Sequence, residues 1–223
     1  MIVSHIFAKT TELGPISEGD LYQYVVAANG VFLRAERPGL KAMIWVASTS
    51  APIRGLVVLT SYVHLTENRV PVRITARMVE MAYHMQGREI LFYLEPVPVR
   101  WIEADTHTAM VSSRPENPWR LRVPEQIATP ASVKPVNPGD GAEALIELHS
   151  HHGMGAFFSS MDSRDETGFR IYAVLGNLDS TPMINVRVGI YGNFCGIPAD
   201  MVFELPVGLV DAYILGSTYG DDR

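Results

Sequence analysis

Three of the seven histidines fall within four residues, in the stretch His149-Ser150-His151-His152-Gly153-Met154-Gly155-Ala156-Phe157-Phe158-Ser159-Ser160-Met161-Asp162. On an extended backbone, residues two apart point to the same face, so His149 and His151 can bind one cation together. A carboxylate from Asp162 would make a third protein ligand. Three ligands leave the fourth position of a tetrahedral zinc ion open to water, which separates a catalytic site from a closed structural one. Water in that position becomes a usable nucleophile near neutral pH. Without a metal, the histidines read as polar residues at a strand end, and Ser159 with Asp162 as a capping box at a helix start. The two roles are compatible, since a helix start can hold Asp162 toward an ion.

The spacing carries a resemblance. His149-x-His151, seven residues, Ser159, two residues and Asp162 is similar, with no gap, to the signature of the JAMM (MPN-domain) zinc metallopeptidases, bacterial type. The likeness is close over residues 145–162 and follows segment order over roughly 71–205. It does not extend to the first seventy residues. It implies Zn2+ held by His149, His151 and Asp162, and an upstream glutamate at the start of a strand that follows a helix. Glu89 fits that description, as general base toward water and then proton donor to the leaving amine. Glu95 and Glu103 are its competitors. The resemblance also implies that Ser159 helps to stabilise the oxyanion formed on the scissile carbonyl.

The implied activity is cleavage of an amide or isopeptide bond, most often after the C-terminal glycine of a ubiquitin-like protein. An adenylating enzyme related to ubiquitin activation is the implied cassette partner. Two positions depart from the family pattern. His152 stands where a proline usually follows the second histidine, and Leu91-Phe92-Tyr93 stands where a glycine is common after the glutamate. A rival reading is an MPN-type scaffold with a structural, non-catalytic zinc, in which His152 closes the coordination. A turn at Gly153 would be needed for that. Otherwise His152, adjacent to His151 on a strand, points to the opposite face.

Other chemistry-bearing residues are weaker. Glu103-x-Asp105-x-His107 alternates three potential ligands, a pattern equally at home on the polar face of a strand. Cys195, in Gly192-Asn193-Phe194-Cys195-Gly196, has no neighbour that marks a nucleophile and reads as a small buried residue.

The elements that must position these residues follow from the pattern. Leu21–Val26 and Val31–Leu33 flank an Asn29-Gly30 hairpin signal, and Met43–Ala47 and Leu56–Leu65 are two more expected strands. Residues 1–70 thus read as a small β-rich region. From Pro71 to Gln86 apolar residues recur at helical spacing, with Pro71 in the first turn and Gly87 as the stop. The methionines of this stretch read as core filling. Glu89–Leu94 and Val97–Ile102 are expected strands, and the proline-dense 111–141 a long irregular connection. Ala144–Leu148 leads into the histidines, and Phe169–Leu175, Met183–Tyr191 and Met201–Leu205 complete the strand-like segments. The expected architecture is α+β, with an MPN domain of curved mixed sheet and flanking helices over 71–223.

Composition limits the function classes. A net charge of −6 without a Lys/Arg run argues against binding nucleic acid through phosphate neutralisation. No apolar stretch approaches a membrane span. The single cysteine permits no internal disulfide, which suits a reducing compartment. With no basic-then-apolar start to suggest a signal peptide, the sequence predicts a soluble cytoplasmic protein. It gives no oligomeric state.

Overall fold

A computed structural model describes residues 3–97 and 118–215. Over these the chain is mixed α+β, mostly sheet, with two α-helices. It divides into two compact units, one of Met1–Thr66, Ser160–Arg170 and Val188–Cys195, the other of Glu67–Ser159, Ile171–Arg187 and Gly196–Arg223. Among the described residues, no helix is long and apolar enough to cross a membrane.

The first unit contains a five-stranded sheet in sequence order: β1 (Val3–Phe7), β2 (Tyr22–Ala27), β3 (Gly30–Arg37), β4 (Leu40–Ser48) and β5 (Tyr62–Leu65). Its first pair is parallel and the others antiparallel. The expected Asn-Gly hairpin is the β2–β3 turn. Gly30 has φ 148° there, and a Cβ on it would lie 2.3 Å from the Ala47 carbonyl oxygen, so no other residue fits without a shift. Val25, Ala27, Phe32 and Met43 build the core of this sheet with Ala8 and Leu59. The expected strand Leu56–Leu65 shrinks to Tyr62–Leu65. Upstream of it the backbone is bonded piecemeal: Val57 N–H donates to Ala8, and the Asn29 amide exchanges two bonds with Leu59. A side-chain amide here replaces a ladder rung, which hydropathy does not reveal.

The larger sheet is open and has seven strands. It runs β13 (Asn193–Ile197), β12 (Met183–Ile190), β11 (Phe169–Gly176), β10 (Ile146–His151), β6 (Leu91–Pro96) and β7 (Trp119–Arg122), with β14 (Val210–Asp211) pairing β12. Phe92, Leu94, Ile146, Leu148, Ile171 and Ile184 are among its fully buried side chains. The expected helix is α1 (Val72–Tyr83), which buries Ile74, Met78 and Ala82 on the i, i+4 stripe with Thr75 beside it. Met78 is core, as expected. The helix stops before Gln86 and Gly87, which have φ of 51° and 86°. At its start Pro71 offers no side-chain cap, and Glu204 accepts the Val72 N–H at 3.1 Å instead.

Two expectations for this part of the chain change, and a third lies almost wholly outside the described residues. The 111–141 connection holds β7, the hairpin β8 (Gln126–Ala128) to β9 (Val133–Pro135), and a 3-10 turn at Pro138–Gly141. Met201–Leu205 is not a strand. Ala199–Met201 is a 3-10 turn, and the Asp211 carboxylate accepts the Ala199 N–H at 2.7 Å. The expected strand Val97–Ile102 lies, beyond Val97, outside the described residues.

Candidate metal centre

Strand β10 presents the two histidines because its sequence alternates. Ile146, Leu148 and Ser150 are fully buried on one side, and Glu147, His149 and His151 share the other. The expected strand Ala144–Leu148 therefore extends through His151. Both histidines are buried, at 8% and 4% exposure, so their ligand atoms are removed from bulk solvent. Their Nε2 atoms lie 3.1 Å apart. Two nitrogens on one tetrahedral zinc, each about 2.0–2.1 Å from the ion, lie about 3.3–3.4 Å from each other. The pair thus already stands close to that separation.

Beyond β10 the chain turns through Gly153 and Gly155 to helix α2 (Ser160–Asp165). Ser159 directly precedes that helix and Asp162 lies in its first turn, as the capping-box spacing suggests. His149, His151 and Asp162 each offer one ligand atom, and these atoms all lie within 4.8 Å of one another. The group could hold a metal ion. Two imidazoles and a carboxylate suit zinc or a similar borderline divalent cation.

One ring is also oriented from behind. His151 Nδ1 is 3.3 Å from the Gly155 carbonyl oxygen. A carbonyl only accepts, so this bond puts the proton on Nδ1 and the lone pair on Nε2, the nitrogen facing His149. Carbonyl groups commonly play this part behind metal-binding histidines. The Gly153-x-Gly155 run is the only hint of it in the sequence.

Glu89 lies in the segment just before the neighbouring strand, which begins at Leu91 rather than at Glu89 as expected and runs to Pro96. β6 pairs antiparallel with β10, His149 opposite Leu91, and the Ser150 N–H to Ile90 carbonyl bond carries the pairing further. Continued two residues, that register sets Glu89 opposite His151, on the same face. Glu89 Oε1 is 3.9 Å from His151 Nε2, with the carboxylate buried. Its backbone is pinned on both sides. Glu89 N–H donates to Thr129, Ile90 N–H to Ser150 Oγ, and Leu91 N–H to Gln126 Oε1 at 2.7 Å. Neither Ser150 nor Gln126 carries a sequence signal for this.

Glu95, a competitor for the role of base, is otherwise engaged. Arg120 bonds its Oε2, and Arg122 donates to its Oε1 at 3.0 Å. Glu103, Asp105 and His107 lie outside the described residues. His152 turns away from the ligand group: its Nε2 is 3.3 Å from the Tyr83 carbonyl oxygen and its Nδ1 3.3 Å from Asp179 Oδ1. Cys195 lies on β13, half-buried, and burial pushes its thiol pKa up.

No family model matches the chain, and a search of curated proteins found no relative.

Proposed function

We propose that this chain is a zinc-dependent peptidase of the JAMM type, with an MPN-like domain over 71–223, that hydrolyses an amide or isopeptide bond. The substrate we favour is a bond after the C-terminal glycine of a ubiquitin-like protein, or a related peptide bond. The observation that carries this reading is the convergence of His149, His151 and Asp162, with the buried Glu89 carboxylate beside His151. These residues combine a ligand set with one proton acceptor, as hydrolysis of an amide requires.

In this reading His149, His151 and Asp162 hold the ion. When bound, zinc supplies Lewis acidity toward water and toward a carbonyl oxygen. Glu89 takes the proton of the attacking water and returns it to the departing amine. Its burial keeps that proton from exchanging freely with solvent. Ser159, at the start of α2, donates its hydroxyl to the carbonyl oxygen as charge develops there. A cytoplasmic setting and an adenylating-enzyme cassette partner belong to the same proposal. The rival, a scaffold with a closed structural zinc, needs a fourth protein ligand. His152, the residue nearest to hand, is engaged by Tyr83 and Asp179 instead.

The test is elemental analysis of the purified protein, combined with hydrolysis of a ubiquitin-like fusion. One zinc per chain, lost in a His149→Ala, His151→Ala double variant together with cleavage, is the expected outcome. Full zinc occupancy in the double variant would overturn the ligand assignment.

A further inference from the structure

We propose that Gly176, the last residue of β11, is a positioning residue that sets the tautomer of His151, acting through the Gly153–Ala156 turn. This rests on the reading of His149 and His151 as metal ligands. Gly176 is the parallel-strand neighbour of His151, and the turn after β10 folds back across it. The turn is fastened to the segment that follows β11. Asn177 N–H donates to the Met154 carbonyl at 2.6 Å and Leu178 N–H to the His152 carbonyl at 2.8 Å. Asn185 Nδ2 donates to the Ala156 carbonyl at 3.2 Å. These bonds hold the Gly155 carbonyl where His151 Nδ1 reaches it.

That close approach requires the absence of a side chain. A Cβ at position 176 would lie 2.3 Å from Ala156 N, 2.4 Å from Gly155 C and 2.6 Å from Met154 O. All three are backbone atoms, so no rotamer change relieves the overlap. The glycine therefore serves approach of one backbone to another. Even alanine must displace the turn, and the carbonyl carbon it meets belongs to the acceptor of His151. A bond already 3.3 Å long does not survive that displacement. Without that acceptor the bond that favours the proton on Nδ1 is lost, and His151 can carry it on Nε2, where a metal must bind.

Nitrogen NMR of the imidazoles in the metal-free protein, above neutral pH, is the test, with His151 assigned by comparison with His151→Gln. Wild type should show His151 protonated on Nδ1. Gly176→Ala should lose that pattern and bind zinc about 10- to 100-fold more weakly in chelator competition, the usual size of effect for a group behind a ligand. If Gly176→Ala does not fold, Asn185→Ala serves, since it releases the turn at Ala156 without adding atoms, and should move both readouts in the same direction. A wild-type His151 protonated on Nε2 overturns the proposal, whatever any variant does. So does a variant with a displaced turn that keeps the Nδ1 tautomer and wild-type zinc affinity. A wild-type protein that shows the Nδ1 tautomer but binds no zinc would sink the metal reading and leave the tautomer assignment standing.

Discussion

Glu89 Oε1 stands 3.9 Å from His151 Nε2, a carboxylate and an imidazole that neighbouring strands bring to one face of the sheet. The carboxylate is a buried proton acceptor beside one of the proposed ligands, and its backbone is bonded to Thr129 on one side and leads into β6 on the other.

Glu89→Gln should therefore keep zinc and lose hydrolysis. Glutamine preserves shape and burial but cannot accept a proton, and acid–base groups contribute about a hundred- to ten-thousand-fold. Zinc content and turnover, measured on the same preparation, check this. Normal turnover in Glu89→Gln would move the base elsewhere, with Glu103 the next residue to test.

The placement of the candidate residues was legible in the sequence where local geometry decides. The His149-x-His151 spacing puts both imidazoles on one face because β10 runs through both residues, and Ser159-x-x-Asp162 falls where a helix starts between them. Glu89 was legible through the helix–turn–strand order before β6. The supports were not. The Gly155 carbonyl, Ser150 Oγ and Gln126 act through register and turn closure, and no residue type announces a backbone carbonyl as a partner. In the first unit, β1 is not legible because its five residues, Val3–Phe7, mix polar and apolar types without clean alternation, and only pairing with β2 makes them a strand. Leu56–Leu65 reads as longer than the strand Tyr62–Leu65 because apolar content alone does not distinguish a ladder from single backbone bonds.

Glu95→Gln should show the opposite profile from Glu89→Gln. Glu95 is buried and receives both Arg120 and Arg122, and Arg122 also lies over the Tyr93 ring with its Cζ 5.1 Å from the centroid. Removing the charge weakens bonds to two arginines that stay partly hydrated. The expected cost is about 1–3 kcal/mol of stability, with zinc content unchanged and specific activity retained. Denaturant unfolding beside a turnover assay separates the two effects. Loss of turnover at full stability would instead assign Glu95 a chemical role.

Cys195 offers a pH-dependent readout of burial. Burial disfavours the thiolate and raises the thiol pKa. A raised folded pKa means that the protonated thiol is the form the fold prefers. That contribution is fully present below the unfolded value and is lost as pH rises through the folded one. Only the thiolate reacts with alkylating reagents. Native protein should therefore label slowly at pH values around the ordinary thiol pKa, about 8.5, and quickly once unfolded. Equal rates in the two states would show that the thiol is not shielded.

His152→Ala tests the position at which the chain departs from the family pattern. The ring joins three places in one unit: its own turn after β10, the end of α1 through the Tyr83 carbonyl, and Asp179 in the turn after β11. It also stacks on the Tyr83 ring at a centroid distance of 6.5 Å. None of these contacts involves a proposed ligand. Replacement should thus leave zinc stoichiometry and affinity near wild type. It should cost about 0.5–1.5 kcal/mol of stability for the lost hydrogen bond to the Tyr83 carbonyl, and less for the contact with Asp179, which is largely solvated. For a chain of this size a loss of 1 kcal/mol lowers Tm by about 2–4 °C, so a thermal melt in the metal-free state resolves it. Metal affinity and the melt must be read together. A His152→Ala protein that melts normally but loses zinc would place this imidazole among the ligands. That result would turn the open three-ligand site of a hydrolase into the closed site of a structural zinc.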